Sequence, residues 1–122
     1  MRLLVVDDSN MIRSRISKIV QNGKIKGLAL VGLARNGEEA VRIARATHPD
    51  IITMDLTMPE MDGLECTAAI MKILPHTRVL VVIALDDKAT AIAALKLGAR
   101  GFVAKPFSDE ELQLALLDML DN

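Results

Sequence analysis

Aromatic side chains are almost missing from this sequence: Phe102 and Phe107 are its whole complement, with no tryptophan and no tyrosine. A protein that binds single-stranded nucleic acid stacks bases on aromatic faces, so no such platform is available. An excess of basic charge is missing as well. Lysine and arginine number 15 against 16 aspartate and glutamate, a formal net charge of -1. Neither nucleic acid nor an acidic membrane is therefore an expected partner. Cysteine occurs once, at Cys66, which rules out an internal disulfide and gives no metal-site spacing; it reads as a small apolar residue. The amino-terminal apolar run, Leu3–Val6, is closed by Asp7 and Asp8, too short for a signal-peptide core or a membrane span. A cytoplasmic location is expected.

What remains is 51% hydrophobic and 25% charged over 122 residues, suited to a single compact domain over residues 1–122. No repeat or low-complexity linker divides it. Short apolar runs alternate with longer stretches of helical period. Leu3–Val6, Ile51–Met54, Val79–Ile83 and Gly101–Ala104 read as strands covered on both faces, and Leu28–Leu33 as a weaker fifth.

The helices between them have recognisable ends. Ser9 or Asn10 can cap a helix carrying Ile12, Ile16, Ile19 and Val20 on one face, with Gly23 as its stop. Asn36 opens a second, ended by Pro49. A third runs from Gly63 to Leu74, before Pro75, with Asp62 as its cap and Pro59 shaping the loop ahead of it. Asp86 or Asp87 starts an alanine-rich fourth that stops at Gly98. Ser108 followed by Glu111 makes a capping box for the fifth. Alternation of this kind predicts right-handed parallel crossovers and a doubly wound α/β sheet of five strands, with helices on both faces.

Ligands of such sheets bind beyond the carboxyl ends of the strands. Strand one ends in Asp7-Asp8, strand three in Asp55 and strand five in Lys105. Three carboxylates on one edge repel, each pair by on the order of 3 kcal/mol at about 5 Å and an effective dielectric of 20. A hard divalent cation relieves that repulsion, and Mg²⁺ prefers carboxylate, carbonyl and phosphate oxygens. Lys105 adds a positive point charge for a further phosphoryl oxygen. A carboxylate beside a metal and an ammonium is a plausible nucleophile toward phosphorus. Acidic strand ends can also be simple helix caps, so spacing alone leaves the chemistry open.

Three segments, Val5-Val6-Asp7-Asp8-Ser9, Met54 through Gly63 and Gly98 through Phe107, together resemble the signature segments of response-regulator receiver domains, with similarity over essentially the whole chain. The resemblance implies a flavodoxin-like (βα)5 fold and a stand-alone, chemotaxis-regulator-like phosphorelay protein that is not an enzyme. By that resemblance Asp55 is the phosphoacceptor, and Asp8 a direct Mg²⁺ ligand beside Asp55. Asp7 acts through a metal-bound water, and the Thr57 carbonyl completes the protein's share. Lys105 pairs with the phosphoryl group, and its bond to Pro106 is expected to be cis. The implied partners are a sensor histidine kinase or phosphotransfer protein and a downstream target on the face of the fourth helix, fifth strand and fifth helix. Leu114 is expected to be exposed there, with Leu117 to one side, and the protein to be a monomer or weak homodimer.

One position departs from the family pattern. The end of strand four usually carries Thr or Ser, whereas this chain has Ile83, followed by Ala84. Its switch partner on strand five is present as Phe102. Ile83 keeps open a phosphorylation-independent scaffold as the alternative. A haloacid dehalogenase-type phosphatase is a minor rival, disfavoured by the short chain and by paired acids that come first. His48, His76, Met58 and Met61 read as loop residues, not as phosphodonors or ligands of a soft metal.

Overall fold

In the computed structural model, which describes residues 1–23, 25–58 and 63–121, five strands form one parallel sheet in the order β2-β1-β3-β4-β5. The strands are β1 (Arg2–Val6), β2 (Ala29–Ala34), β3 (Ile51–Asp55), β4 (Arg78–Ala84) and β5 (Gly101–Lys105); the helices are α1 (Asn10–Gln21), α2 (Gly37–Thr47), α3 (Gly63–Ile73), α4 (Lys88–Lys96) and α5 (Asp109–Asp121). All four strand pairings are parallel, matching the predicted doubly wound architecture.

Side chains alternate across a strand, and this sorts the apolar residues into two layers. Leu3, Val5, Ile51, Leu80, Val82 and Val103 pack against Ile16, Ile19 and Val20 of α1 and Leu112, Leu116 and Met119 of α5. Their neighbours Leu4, Val6, Ile52, Met54, Val79, Val81 and Ile83 face α2, α3 and α4, where Ala40, Ala44, Cys66, Ile70, Ala91 and Ala94 meet them. Alanines on α2 and α4 let those helices approach closely. Strand order reverses at β1, which lies between β2 and β3, so a crevice opens at the carboxyl ends of β1 and β3.

Helix boundaries follow the capping chemistry. Ser9, not Asn10, caps α1, its hydroxyl accepting the Ile12 N–H at 3.3 Å. Asn36 caps α2 through the Glu39 N–H at 2.8 Å. Asp87, not Asp86, caps α4, because Asp86 occupies a left-handed turn at φ 72°. The Ser108–Glu111 box closes in both directions at 3.1 Å. Proline was the expected stop for α2, but the chain leaves the helix one residue earlier, at His48 with φ 48°. Asp62, Pro59 and Met61 lie outside the described residues.

Candidate functional site

Asp55 ends β3 fully buried, and Asp7, also buried, follows β1. Backbone ladders extend just past both: Asp7 N–H donates to Ala34 O at 2.9 Å, and Leu56 N–H to Val82 O at 2.8 Å. Asp55 is therefore mounted on the regular sheet, and the backbone of Asp7 is tied to the end of it. Asp8 is exposed. One carboxylate oxygen from each of Asp7, Asp8 and Asp55 lies within 4.8 Å of the other two.

Lys105, the last residue of β5, enters this cluster from the edge of the sheet. Its Nζ lies 3.2 Å from Asp7 Oδ2 and 3.2 Å from Asp55 Oδ2. Burial alone would depress the ammonium, yet the Asp55 and Asp7 carboxylates outweigh it and hold its pKa above that of an ordinary lysine. Asp7 is shifted upward, chiefly by burial; the Ser9 N–H at 2.9 Å opposes the shift, and the charge of Asp55 adds to it. The other oxygen of Asp55, Oδ1, accepts both the Thr57 N–H at 2.8 Å and the Thr57 hydroxyl at 2.6 Å. Thr57 thus fixes the orientation of the Asp55 carboxylate, a contact not foreseen from sequence.

The donor set suits a hard cation. Every candidate ligand is an oxygen, and one of the three carboxylates opens to solvent, where water can complete a shell. Asp7 Oδ2 is buried without an aligned hydrogen bond, although Lys105 is within ion-pairing distance. A buried carboxylate oxygen in that condition is short of positive charge, which Mg²⁺ would supply.

Gly63, at the first turn of α3, has no room for a side chain. A Cβ there would come within 2.9 Å of Asp55 O and Leu56 Cα, and 2.6 Å of Leu56 Cδ2. The sequence placed Gly63 at the start of the third helix; the structure shows that the constraint there is α3 backing directly onto the backbone of Asp55 and Leu56. The Lys105–Pro106 bond is cis, as the resemblance implied.

Ile83 and Phe102 are placed differently from the acids. Ile83 is 4% exposed and belongs to the α2–α4 layer, on the opposite face from Val82. It pairs with Ala104, and Phe102 pairs with Val81. Phe102 is 52% exposed. Leu114 and Leu117 of α5 are exposed, as expected, and Ile92 and Leu95 of α4 are exposed as well.

Other sequence candidates fall away from the site. Cys66 is buried, and burial pushes its thiol up to about 11. Met58 packs into the α2–α4 core. His48 and His76 line a cleft with Asp50, Leu74 and Thr77 at the amino ends of β3 and β4. Arg13 was missed: its Nη1 donates to Asp7 O at 2.6 Å, and it also bonds Asn10 Oδ1. A signal existed, since a cation in the first turn of a helix opposes the macrodipole and α1 has no acid there. Such a residue calls for a tertiary partner.

Comparison with known proteins agrees with this geometry. Residues 3–117 match the family described as the response regulator receiver domain. The chain is 40% identical over 115 residues to the chemotaxis protein CheY of Thermotoga maritima, covering 94% of this chain and 93% of that protein. It is 46% identical over 105 residues to a protein-glutamate methylesterase/protein-glutamine glutaminase of Halobacterium salinarum, covering 84% of this chain but 29% of that longer protein. Among solved structures, the CheX-CheY-BeF3-Mg+2 complex of Borrelia burgdorferi aligns with a TM-score of 0.89 at 30% identity, covering 98% of this chain and 89% of that one. With its family signature, its sheet order and its acid-lined edge in agreement, the chain belongs to the response regulator receiver domain family.

Proposed function

We propose that this receiver accepts a phosphoryl group on Asp55 from a sensor histidine kinase or phosphotransfer protein, and signals by changing its affinity for a partner protein. The observation that carries the reading is the pairing of a fully buried Asp55 with Lys105 beside two further carboxylates. An Asp55 oxygen attacks phosphorus and the P–N bond of the donor's phosphohistidine breaks. The imidazole leaves with that electron pair and takes up a proton. Thr57 holds the carboxylate in place, and Lys105, which now bridges Asp7 and Asp55, pairs with the incoming phosphoryl oxygens.

Asp8 and Asp55 would hold Mg²⁺, with Asp7 acting through a bound water and the Thr57 carbonyl completing the set. The ion would supply positive charge to the transferring phosphoryl group. The product is an acyl phosphate on the protein itself, which makes the chain a signalling module and not an enzyme with a separate substrate. Phe102, Ile92, Leu95 and Leu114 leave apolar surface on the α4–β5–α5 face for a target to cover. Ile83 favours a second reading, a scaffold whose binding ignores phosphate, because hydrocarbon stands where a hydroxyl would reach the phosphoryl group.

Incubation with a small-molecule phosphodonor and Mg²⁺ tests the proposal. Intact mass is expected to show one added phosphoryl group, absent in Asp55→Asn. Continued labelling of that variant at another residue would overturn it.

A further inference from the structure

Lys105 reaches Asp7 and Asp55 from an edge strand, and the turn that follows it is held by Arg15 of α1, 92 residues away in sequence. The Arg15 guanidinium makes three contacts at once. Nη2 donates to Phe107 O at 2.6 Å, Nε pairs with Asp109 Oδ1 at 2.8 Å, and the guanidinium carbon lies 4.9 Å from the centre of the Phe107 ring. Phe107 is buried in the α1–α5 layer and is separated from Lys105 only by Pro106. A lysine could satisfy one of these contacts but not the planar set, since only a guanidinium presents a rigid fork and a flat face together.

Arg13 performs the matching task on the other side of the site, donating to Asp7 O. Two positions apart, these side chains leave α1 about 200° from one another. One helix therefore grips both the loop of the acid pair and the turn that carries the lysine.

We propose that Arg15 is a positioning residue for phosphoryl acceptance, setting Lys105 Nζ between Asp7 and Asp55 without touching the phosphoryl group. The inference rests on the assignment of Asp55 and Lys105 above. Lys105 has a flexible stem, but its ammonium must lie 3.2 Å from two fixed oxygens at once. Few stem conformations meet that condition, and movement of the Phe107 carbonyl changes which of them are available.

The test compares the full chain with Arg15→Met, Arg15→Lys and the control Lys18→Met, which alters an exposed cation of the same helix. Three quantities are read: the rate of Asp55 phosphorylation by a small-molecule phosphodonor, Mg²⁺ affinity by NMR titration, and hydrogen exchange of the Lys105 ammonium by ¹⁵N NMR. Arg15→Met is expected to slow phosphorylation about tenfold, within the roughly hundredfold that a 1 Å misplacement can cost. It should also speed exchange at Lys105 Nζ and leave Mg²⁺ affinity unchanged. Arg15→Lys should fall between, and Lys18→Met should match the native chain. Native rate and native ammonium exchange in Arg15→Met would overturn the proposal, as would a parallel loss of Mg²⁺ affinity, which signals general loosening. If Arg15→Met does not fold, Arg15→Lys and Asp109→Asn decide on the same readouts. If the native chain takes no phosphoryl group, the phosphoacceptor reading fails, and ammonium exchange alone still tests the clamp.

Discussion

The two faces of the sheet are built from the same strands yet hold different chemistry. On the α1–α5 side, the alternation that buries Val5, Val82 and Val103 places Asp7, Asp55 and Lys105 at the carboxyl edge. On the α2–α4 side, the next residue along presents Ile83, with Ala104 beside it and Phe102 further down β5. At that edge Asp7, Asp55 and Lys105 fall on one face and Ile83 on the other. If Asp55 takes the phosphoryl group as proposed, chemistry falls to the first face and response to the second, with the start of α3 touching the Asp55 backbone between them.

Metal binding should separate the two faces most strongly. Asp8→Ala is expected to weaken Mg²⁺ binding on the order of ten- to a hundredfold, the range seen when groups supporting a metal site are removed. Asp7→Ala should have a smaller direct effect, since Asp7 is assigned a water-mediated role. Titration by NMR would check both, and equal, unchanged affinities in the two variants would remove the assignment.

Gly63 is where the faces touch, because its missing Cβ would meet the Asp55 carbonyl. Gly63→Ala is expected to destabilise the fold by about 1–3 kcal/mol through overpacking, read by urea denaturation. Phosphorylation should slow in the same variant, as Asp55 is pushed from below.

Ile83→Thr tests the response face. A hydroxyl hydrogen bond to a charged phosphoryl oxygen is worth roughly 1.5–3 kcal/mol, against about 5.5 kcal/mol for moving a population from 1:99 to 99:1. The ratio of partner affinities with and without a phosphoryl mimic is expected to rise roughly tenfold in Ile83→Thr, the lower end of that bond's worth. Stability should fall, since the new hydroxyl enters an apolar layer. A native ratio already above about a hundredfold and unimproved by threonine would assign the relay to another group. A ratio of one in both proteins would favour the scaffold reading.

The smallest effect is expected at Glu39, in the first turn of α2. Its pKa is lowered, first by the Arg35 backbone N–H at 3.0 Å and then, against burial, by the Arg35 guanidinium. A carboxylate depressed in the folded state stabilises above its ordinary value of 4.5 and loses that contribution as pH falls through the depressed one. Thermal melts of Glu39→Gln should therefore lie slightly below the native protein at neutral pH and converge with it in acid.

The strands, and the meeting of Asp7, Asp8, Asp55 and Lys105 at one edge, were legible because a buried parallel strand leaves so plain a signature, an apolar run with its polar residue at the carboxyl end. Local geometry was less so. Ser9 and Asn10 are both good caps, and only the bond to Ile12 separates them. His48 ends α2 in a left-handed conformation that nothing in a histidine announces, so Pro49 drew the boundary instead. Arg15 was invisible for a different reason: its partners are 92 and 94 residues away, and no pattern of spacing reports contacts at that range. The exposure of Asp8 against the burial of Asp7 likewise comes from the packed fold and not from two adjacent identical residues.

Strand order also bears on how steadily the site is held in time. β1 and β3 are interior strands with a neighbour on each side, whereas β5 is an edge strand paired only with β4. Sub-global opening begins where fewest contacts must break, so amide protons of β5 should exchange before those of β3. Asp55 is thus expected to sit on a later-opening part of the sheet than Lys105, which rides on its edge. Transient release of β5 would withdraw Lys105 and leave the three carboxylates facing one another, so the lifetime of the assembled site is that of an edge strand.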